Sequence, residues 1–230
     1  MNGNIVLSCY LTGRPDPQRN LTWPADHDPT VATWIKSLHS CGLHGTIFHD
    51  RLSPEWCYKW DGNRVEFAKV EWSTPWTAAE ERVAIYRDAI NANPQWHRVL
   101  MTDLSDVEFH FDPFPLMAEP GKLYIGSEPE RLGATIVRLW SRQAYGEVLH
   151  ADKILLNPGI IGGSRGTVLL LLDAWMDELK KAGVPKPPHD IVAFNRVIYG
   201  SGLPFFTGGP LHTVFRKNQG PESGCCIRHK

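Results

Sequence analysis

The chain has 230 residues, which is enough for one substantial domain with its own hydrophobic core. Its 42% hydrophobic and 21% charged residues are ordinary for a globular protein, and its net charge of −1 gives no bulk attraction to nucleic acid or to an anionic membrane surface. No apolar run approaches the ~20 residues that a membrane-spanning helix needs.

The cysteines and the N-terminal residues bear on the compartment. The N-terminal residues lack the basic start and long apolar stretch of a signal peptide. Five cysteines are an odd number and show no zinc-binding spacing. We therefore expect reduced thiols in a cytoplasmic protein.

Residues 5–10 (IVLSCY) predict a first β-strand that is apolar enough to lie inside a sheet. The strand leads into a loop rich in Gly and Pro, LTGRPDP. Ligands of open α/β sheets bind beyond the carboxyl ends of the strands, so Thr12 and Arg14 are candidates for contacting a nucleotide. The alternative is that these residues form an ordinary surface turn.

Helices and strands alternate in the next part of the chain. The apolar and capping patterns predict a helix from Asp28 with Val31, Ile35 and Leu38 buried, strands at 46–49 and 65–70, and a helix from a Thr77–Glu80 capping box to about Asn91. Strand, helix and strand in this order predict a parallel α/β arrangement.

A buried strand at 99–101 is predicted to end in a cluster of aspartates. Asp103, Asp106 and Asp112 follow it, and alternating residues at 107–111 predict a half-buried extended segment. Aspartates this close repel one another and stay ionised most easily around a cation, for which oxygen ligands favour Mg²⁺ or Mn²⁺. The alternative is that Asp103 caps a turn and Asp106 is solvated.

The second half of the chain continues the alternation. The pattern predicts a strand at 122–126, a helix at 135–145 with Ile136, Leu139 and Trp140 inward, a strand at 154–156, a glycine-rich turn at 157–163, a helix at 167–182, a helix from His189-Asp190 and a late strand at 211–216. Glycines in the turn allow close approach of the backbone to a ligand.

The segment TDLSDVEFHFDPF resembles the metal-binding segment of GT-A nucleotide-sugar glycosyltransferases, in a subset that has Asp-x-x-Asp-Val-x-Phe followed by Asp-Pro-Phe. The matching residues are Asp103, Asp106, Val107, Phe109, Asp112, Pro113 and Phe114. The two-residue gap between the first two aspartates departs from the commoner one-residue gap. Which carboxylate binds the metal directly is therefore left open.

The resemblance covers roughly residues 4–216 and implies an α/β fold. It predicts a single GT-A-like (Rossmann-like) domain over residues 1–216, with a mostly parallel central sheet flanked by helices. The remaining residues, 217–230, are polar and are predicted to form a flexible C-terminal tail.

The resemblance also implies roles for individual residues. Asp106, Asp103 and His212 would bind Mn²⁺ or Mg²⁺. The donor would contact Thr12, Arg14, Arg82, Gly159 and Gly162. Asp103, Asp190 and Asn157 would be catalytic. Asn157-Pro158-Gly159 resembles the family's Asn-x-Gly turn, and Arg82 with Tyr86 resembles its helical Arg and Tyr. Asp190 is followed by Ile191 where the family has Gln, so it could equally stabilise a helix N-terminus.

The implied activity is that of a metal-dependent hexosyl- or pentosyltransferase. It would move a sugar from a nucleoside-diphosphate donor, expected to be a UDP-sugar, to an acceptor hydroxyl on a glycan, protein, lipid or modified nucleobase. Retention of configuration is expected because no unambiguous general base stands out. The alternatives are a sugar-phosphate nucleotidyltransferase, disfavoured because LTGRPDPQR has one Gly and no Lys, and a non-catalytic carbohydrate- or nucleotide-binding module.

Overall fold

The computed structural model describes residues 3–16, 21–62, 64–182, 190–216 and 220–230. Its strands are β1 (Asn4–Tyr10), β2 (Gly45–His49), β3 (Val65–Lys69), β4 (Arg98–Thr102), β5 (Val107–Phe109), β6 (Leu123–Arg131), β7 (Ile154–Ser164), β8 (Phe205–Phe206) and β9 (Ile227–His229). Its α-helices are α1 (Asp28–Ser40), α2 (Pro54–Trp60), α3 (Ala78–Ala92), α4 (Val137–Tyr145), α5 (Arg165–Ala182) and α6 (Asp190–Ser201). No helix in these ranges is long and apolar enough to cross a bilayer.

Seven strands form one sheet in the order β3-β2-β1-β4-β7-β6-β8. Strands β1 to β4 pair in parallel, β6 pairs in parallel with β8, and β7 runs antiparallel between β4 and β6. Helices α3, α5 and α6 cover one face, while α1, β5 and β9 cover the other. The predicted α/β domain with a mostly parallel central sheet flanked by helices is therefore confirmed.

Helices α1 and α3 form where the hydrophobic and capping patterns of the sequence predict them. In α1, Val31, Ile35 and Leu38 are buried as predicted, together with Trp34. The capping box that begins α3 is present, because the Glu80 carboxylate accepts hydrogen bonds from the Thr77 amide at 3.0 Å and from its hydroxyl at 2.6 Å. Helix α3 therefore begins where the local sequence predicts.

Three predictions in the second half of the chain are wrong. Residues 157–163 form part of β7 rather than a turn, because this segment pairs with neighbours on both sides. At and within α4, Ile136 and Leu139 are exposed, at 54% and 50%, because Val137 and Ser141 face the core instead, whereas Trp140 packs inward as predicted. Residues 211–216 make an isolated bridge at His212 rather than a strand.

The predicted flexible tail is wrong for residues 220–230. Strand β9 pairs antiparallel with β5, Cys225 is buried, and Cys226 and Ile227 pack against the α1 face of the sheet. Lys230 forms an ion pair with Glu108 at 3.2 Å, which places the end of β9 beside β5. This segment therefore belongs to the domain, while residues 217–219 and the predicted helix residue His189 lie outside the described ranges.

Candidate metal centre and adjoining cleft

The aspartate segment leaves the sheet at the end of β4 and is fixed by the backbone on two sides. The Asp103 amide donates to the Gly159 carbonyl at 2.9 Å, which ties it to β7. The Asp106 carbonyl accepts from the Lys230 amide at 2.8 Å, which ties it to the segment after β9. As a result, one ligand atom each from Asp103, Asp106 and His229 lies within 4.8 Å of the others.

His229 is the member of this cluster that the sequence did not point to. Its side chain is fully buried, and within the described part of the chain neither ring nitrogen makes a hydrogen bond. Burial lowers the pKa of His229 to about 4, although the nearby Asp103 carboxylate opposes this shift. A buried imidazole without hydrogen bonds is costly, and it is neutral near pH 7, so its lone pair is free to bind a cation.

Gly159 leaves the space that such a cation would need. A Cβ atom on this residue would lie 2.7 Å from Asp103 Oδ2, 2.9 Å from Asn157 Oδ1 and 2.9 Å from His229 Nε2. These separations are shorter than ordinary contacts, so only glycine fits here without displacing the polar side chains. Two carboxylates and an imidazole form a donor set that could hold Mn²⁺, and less well Mg²⁺.

His212 does not belong to this cluster, and the sequence-based assignment requires correction. Its ring is buried, with Nδ1 2.8 Å from the Thr213 carbonyl and Nε2 between the Ile125 carbonyl at 2.7 Å and the Gly208 amide at 2.9 Å. Both nitrogens are thus held by backbone groups. His212 ties the segment after β8 to β6, while His229, at the end of β9, faces Asp103 and Asp106.

A cleft of about 390 Å³ adjoins the cluster at the carboxyl ends of β1 and β4. It is lined by Cys9, Tyr10, Leu11, Arg14, Asp16, Trp23, Thr30, Ala78, Ala79, Arg82, Asp103, Leu104, Ser105 and Asp190. Asp103 therefore belongs both to the cluster and to the cleft wall. Trp23, also in the cleft lining, is 38% exposed and presents an aromatic ring to a ligand.

Arg82 joins two of the predicted site residues inside this cleft. From α3 it forms ion pairs with Asp103 and, at 3.4 Å, with Asp190 at the start of α6. Burial raises the pKa of Asp190 to about 6, although the Arg82 charge opposes this shift. The Arg82 Nε also donates to the Ala79 carbonyl at 3.0 Å, which fixes the guanidinium in place.

Arg14 faces the cleft but is held by a network that the sequence did not reveal. Its Nη1 donates to the carbonyls of Thr74 at 2.9 Å and Trp76 at 2.5 Å, and its guanidinium lies 4.1 Å from the centre of the Trp72 ring. The buried Glu81 carboxylate anchors this loop by accepting from the Thr74 amide at 3.1 Å. The hydrogen bonds leave Arg14 positioned by the protein before any ligand binds.

The remaining predicted site residues differ in their position. Thr12 is buried outside the cleft lining, with its amide donating to Asp50 at 2.9 Å, so it shapes the loop rather than contacting a ligand. Gly162 packs under Met117 in the core, so its predicted donor contact is also corrected. Asn157 lies beside the cluster, accepting from the Gly159 amide at 2.7 Å and donating to Glu128 at 3.0 Å.

The sequence matches no protein-family model and no curated protein. Support for a function comes instead from the local chemistry of these residues. The cluster combines two carboxylates with a buried neutral imidazole, and it opens onto a cleft that contains two positioned arginines. Such an arrangement can hold a cation together with an anionic ligand.

Proposed function

We propose that the protein is a metal-dependent glycosyltransferase that transfers a sugar from a nucleoside-diphosphate donor, a UDP-sugar, to an acceptor hydroxyl. The observation that carries the proposal is the Asp103–Asp106–His229 cluster at the edge of the cleft. The cleft lies at the carboxyl ends of the strands, where open α/β sheets bind their ligands, and its volume falls in the range of small-molecule sites. The resemblance of the aspartate segment to GT-A enzymes points the same way.

Asp103, Asp106 and His229 are the residues that would hold the metal. When bound there, a divalent cation neutralises diphosphate charge and acts as a Lewis acid towards the leaving group. The imidazole favours Mn²⁺ over Mg²⁺, because nitrogen ligands suit the softer ion. The low pKa of His229 keeps the imidazole unprotonated at neutral pH, so protons do not compete for its lone pair.

The cleft residues suit the rest of the donor. Arg14 is held in place by backbone carbonyls and Trp72, so its guanidinium is available to a diphosphate without large loss of side-chain entropy. The partly exposed Trp23 ring in the cleft lining suits stacking of the nucleobase. Asp190, which Arg82 connects to Asp103, suits hydrogen bonds from hydroxyls of the transferred sugar.

The ion pairs of Arg82 favour retention of configuration. Inversion needs a free carboxylate to take the proton of the acceptor hydroxyl, on the face opposite the leaving group. Asp103 and Asp190, the two predicted catalytic carboxylates of the cleft, are both paired with Arg82. In retention the leaving phosphate can accept that proton itself, so the ion pairs with Arg82 need not break and the two carboxylates can serve to position the sugar.

The test is release of nucleoside diphosphate. The purified protein is incubated with Mn²⁺, UDP-, GDP-, ADP- and TDP-sugars and a panel of glycan, protein and lipid acceptors, because the transferred sugar needs a hydroxyl to receive it. Released nucleoside diphosphate is quantified with and without chelator. We expect release from a UDP-sugar that chelator or Asp106→Asn abolishes, with an unchanged melting temperature of the metal-free variant. Pyrophosphate formed from a nucleoside triphosphate and a sugar phosphate would instead identify a nucleotidyltransferase. Donor binding without any turnover would identify a binding module.

A further inference from the structure

Glu128 is a half-buried carboxylate connected to the metal cluster through Asn157. The Asn157 side-chain amide donates to Glu128 Oε1 at 3.0 Å, and its Oδ1 lies beside Asp103 and His229 around Gly159. In the described part of the chain, Glu128 makes no other hydrogen bond or ion pair. Glu128 is also absent from the lining of the donor cleft. One of its oxygens is therefore anchored, and the other is available to a ligand outside that cleft.

A strand irregularity brings Asn157 and Glu128 together. Ile125 on β6 is opposite Ile161 on β7, but the next β6 residue, Gly126, is opposite Asn157. The intervening β7 residues leave the ladder with β6 at this point, although Ile160 stays paired with β4, and Gly159 among them approaches the cluster. Bulges of this kind re-aim side chains next to active sites.

The backbone of Phe215 lies beside the strand that carries Glu128. Its amide donates to the Ser127 carbonyl at 2.9 Å, one residue before Glu128, and its half-buried ring lies 4.5 Å from the His229 ring. The guanidinium of Arg216 lies 4.9 Å from the centre of the same ring. The His229 ring and the Arg216 guanidinium both lie against this ring, so a ligand would meet the part of it that they leave exposed. An apolar ring edge near a carboxylate suits a carbohydrate, whose C–H groups contact the ring while its hydroxyls donate to the carboxylate.

We propose that Glu128 binds the acceptor, by accepting a hydrogen bond from a hydroxyl of a glycoside that packs against Phe215. This inference rests on the proposed function and adds the acceptor class to it. Asp103 lines the donor cleft while its Oδ2 faces Gly159 and Asn157, so the cluster connects the donor cleft to the Glu128 side. An acceptor held by Glu128 would thus meet the donor beside the cluster.

The environment of Glu128 supports a ligand-binding role over a purely structural one. Burial raises its pKa above the ordinary value for Glu, although the hydrogen bond from Asn157 opposes this shift. A carboxylate that is desolvated and only partly hydrogen-bonded destabilises the fold, and such groups cluster at functional sites. Glu130, two residues along β6, is exposed and offers a matched comparison.

The experiment uses methyl glycosides of glucose, galactose, mannose and xylose as acceptor probes. Each is added to the full chain with UDP and Mn²⁺, and paramagnetic broadening of the glycoside proton resonances is measured against a Mg²⁺ sample. We expect the wild-type protein to broaden at least one glycoside. Glu128→Gln should weaken that binding by about tenfold, the effect of losing one charged hydrogen bond, while Glu130→Gln should not change it. Calorimetry should show unchanged Mn²⁺–UDP binding in both variants.

The outcomes separate the two proposals. Equal broadening in the wild type and Glu128→Gln, or no broadened glycoside in a wild-type protein that binds Mn²⁺ and UDP, overturns the acceptor assignment alone. A wild-type protein that binds neither Mn²⁺ nor UDP overturns the proposed function and the acceptor assignment with it. Loss of Mn²⁺–UDP binding in Glu128→Gln would show that this residue supports the metal centre rather than the acceptor.

Discussion

Replacing Gly159 with alanine would insert a methyl group into the middle of the candidate metal centre. The new Cβ would lie 2.7 Å from Asp103 Oδ2 and 2.9 Å from both Asn157 Oδ1 and His229 Nε2. Since relaxed contacts need about 3.5 Å, these groups would have to withdraw by roughly 0.6–0.8 Å. Metal sites tolerate displacements of only about 0.2 Å, so we expect Mn²⁺ affinity to fall by about 100-fold. The overpacking itself should cost about 1–3 kcal/mol of stability.

The assay measures the two consequences separately. Free Mn²⁺ is followed by electron paramagnetic resonance during titration, and stability of the metal-free protein is measured by urea unfolding. Gly162→Ala is the control for destabilisation, because its new Cβ would press on Met117 and Leu100 in the core, away from the cluster. Gly166→Ala is the control for the substitution itself, because this exposed residue of α5 has open space around it.

Gly162→Ala should lose stability but keep Mn²⁺ affinity, while Gly166→Ala should keep both or gain up to about 1 kcal/mol of stability. The reasoning is refuted if folded Gly159→Ala binds Mn²⁺ with wild-type affinity. It is also refuted if Gly162→Ala loses as much affinity as Gly159→Ala, since the effect would then come from general destabilisation.

Three further predictions concern the surrounding residues. His229→Ala should lower Mn²⁺ affinity by roughly 100-fold with little change in the free energy of unfolding, whereas His212→Ala should cost about 2–4 kcal/mol of stability through its lost backbone contacts. Mn²⁺ titration and urea unfolding of both variants would show which histidine binds the metal. Asp190→Asn should raise the unfolding free energy above pH 6 by roughly 1–3 kcal/mol and leave it unchanged below pH 3.8. The folded-state pKa of Asp190 is raised from 3.8 to about 6, so ionisation of this carboxyl removes stability as pH rises through that window, and asparagine does not ionise. Urea unfolding across pH tests this, and a variant less stable than the wild type at high pH would contradict it. Trp23→Ala should weaken UDP binding by about tenfold without changing Mn²⁺ affinity, and calorimetry showing equal UDP binding would exclude base stacking.

Features that depend on local sequence could be predicted. The capping box of Thr77 and Glu80 needs only four consecutive residues, and the apolar runs of β1 and β4 need only burial inside a sheet. The position of Asp103 and Asp106 could also be predicted from the local sequence, because aspartates that follow a buried strand lie at the edge of the sheet where ligands bind. The sequence therefore predicted the fold class and the carboxylates of the candidate site.

Features that depend on contacts between distant segments could not be predicted. The glycines of 157–163 indicate a turn by composition, yet β4 and β6 enclose this segment and make it a strand. His212 and His229 both lie late in the chain, and only the pairing of β9 with β5 shows which one reaches the aspartates. In α4, helical periodicity alone did not identify the buried face, because that face is set by packing against Leu132 and Val192.

The attachment of His229 to a strand of three residues makes metal occupancy and strand docking one linked equilibrium. In the described part of the chain, β9 pairs with β5 and makes an isolated bridge to His212, and the backbone of Lys230 extends the contact with β5 to Asp106. A ligand that binds only the docked state stabilises it by RT ln(1 + [L]/Kd), which is about 2.7 kcal/mol when the ligand is at 100 times its Kd. Mn²⁺ would therefore suppress local opening of β9 more than opening of the central sheet. Hydrogen exchange at the amides of Ile227 and His229 would then slow as Mn²⁺ is added, so the exchange rates of β9 would measure how much of the site is occupied.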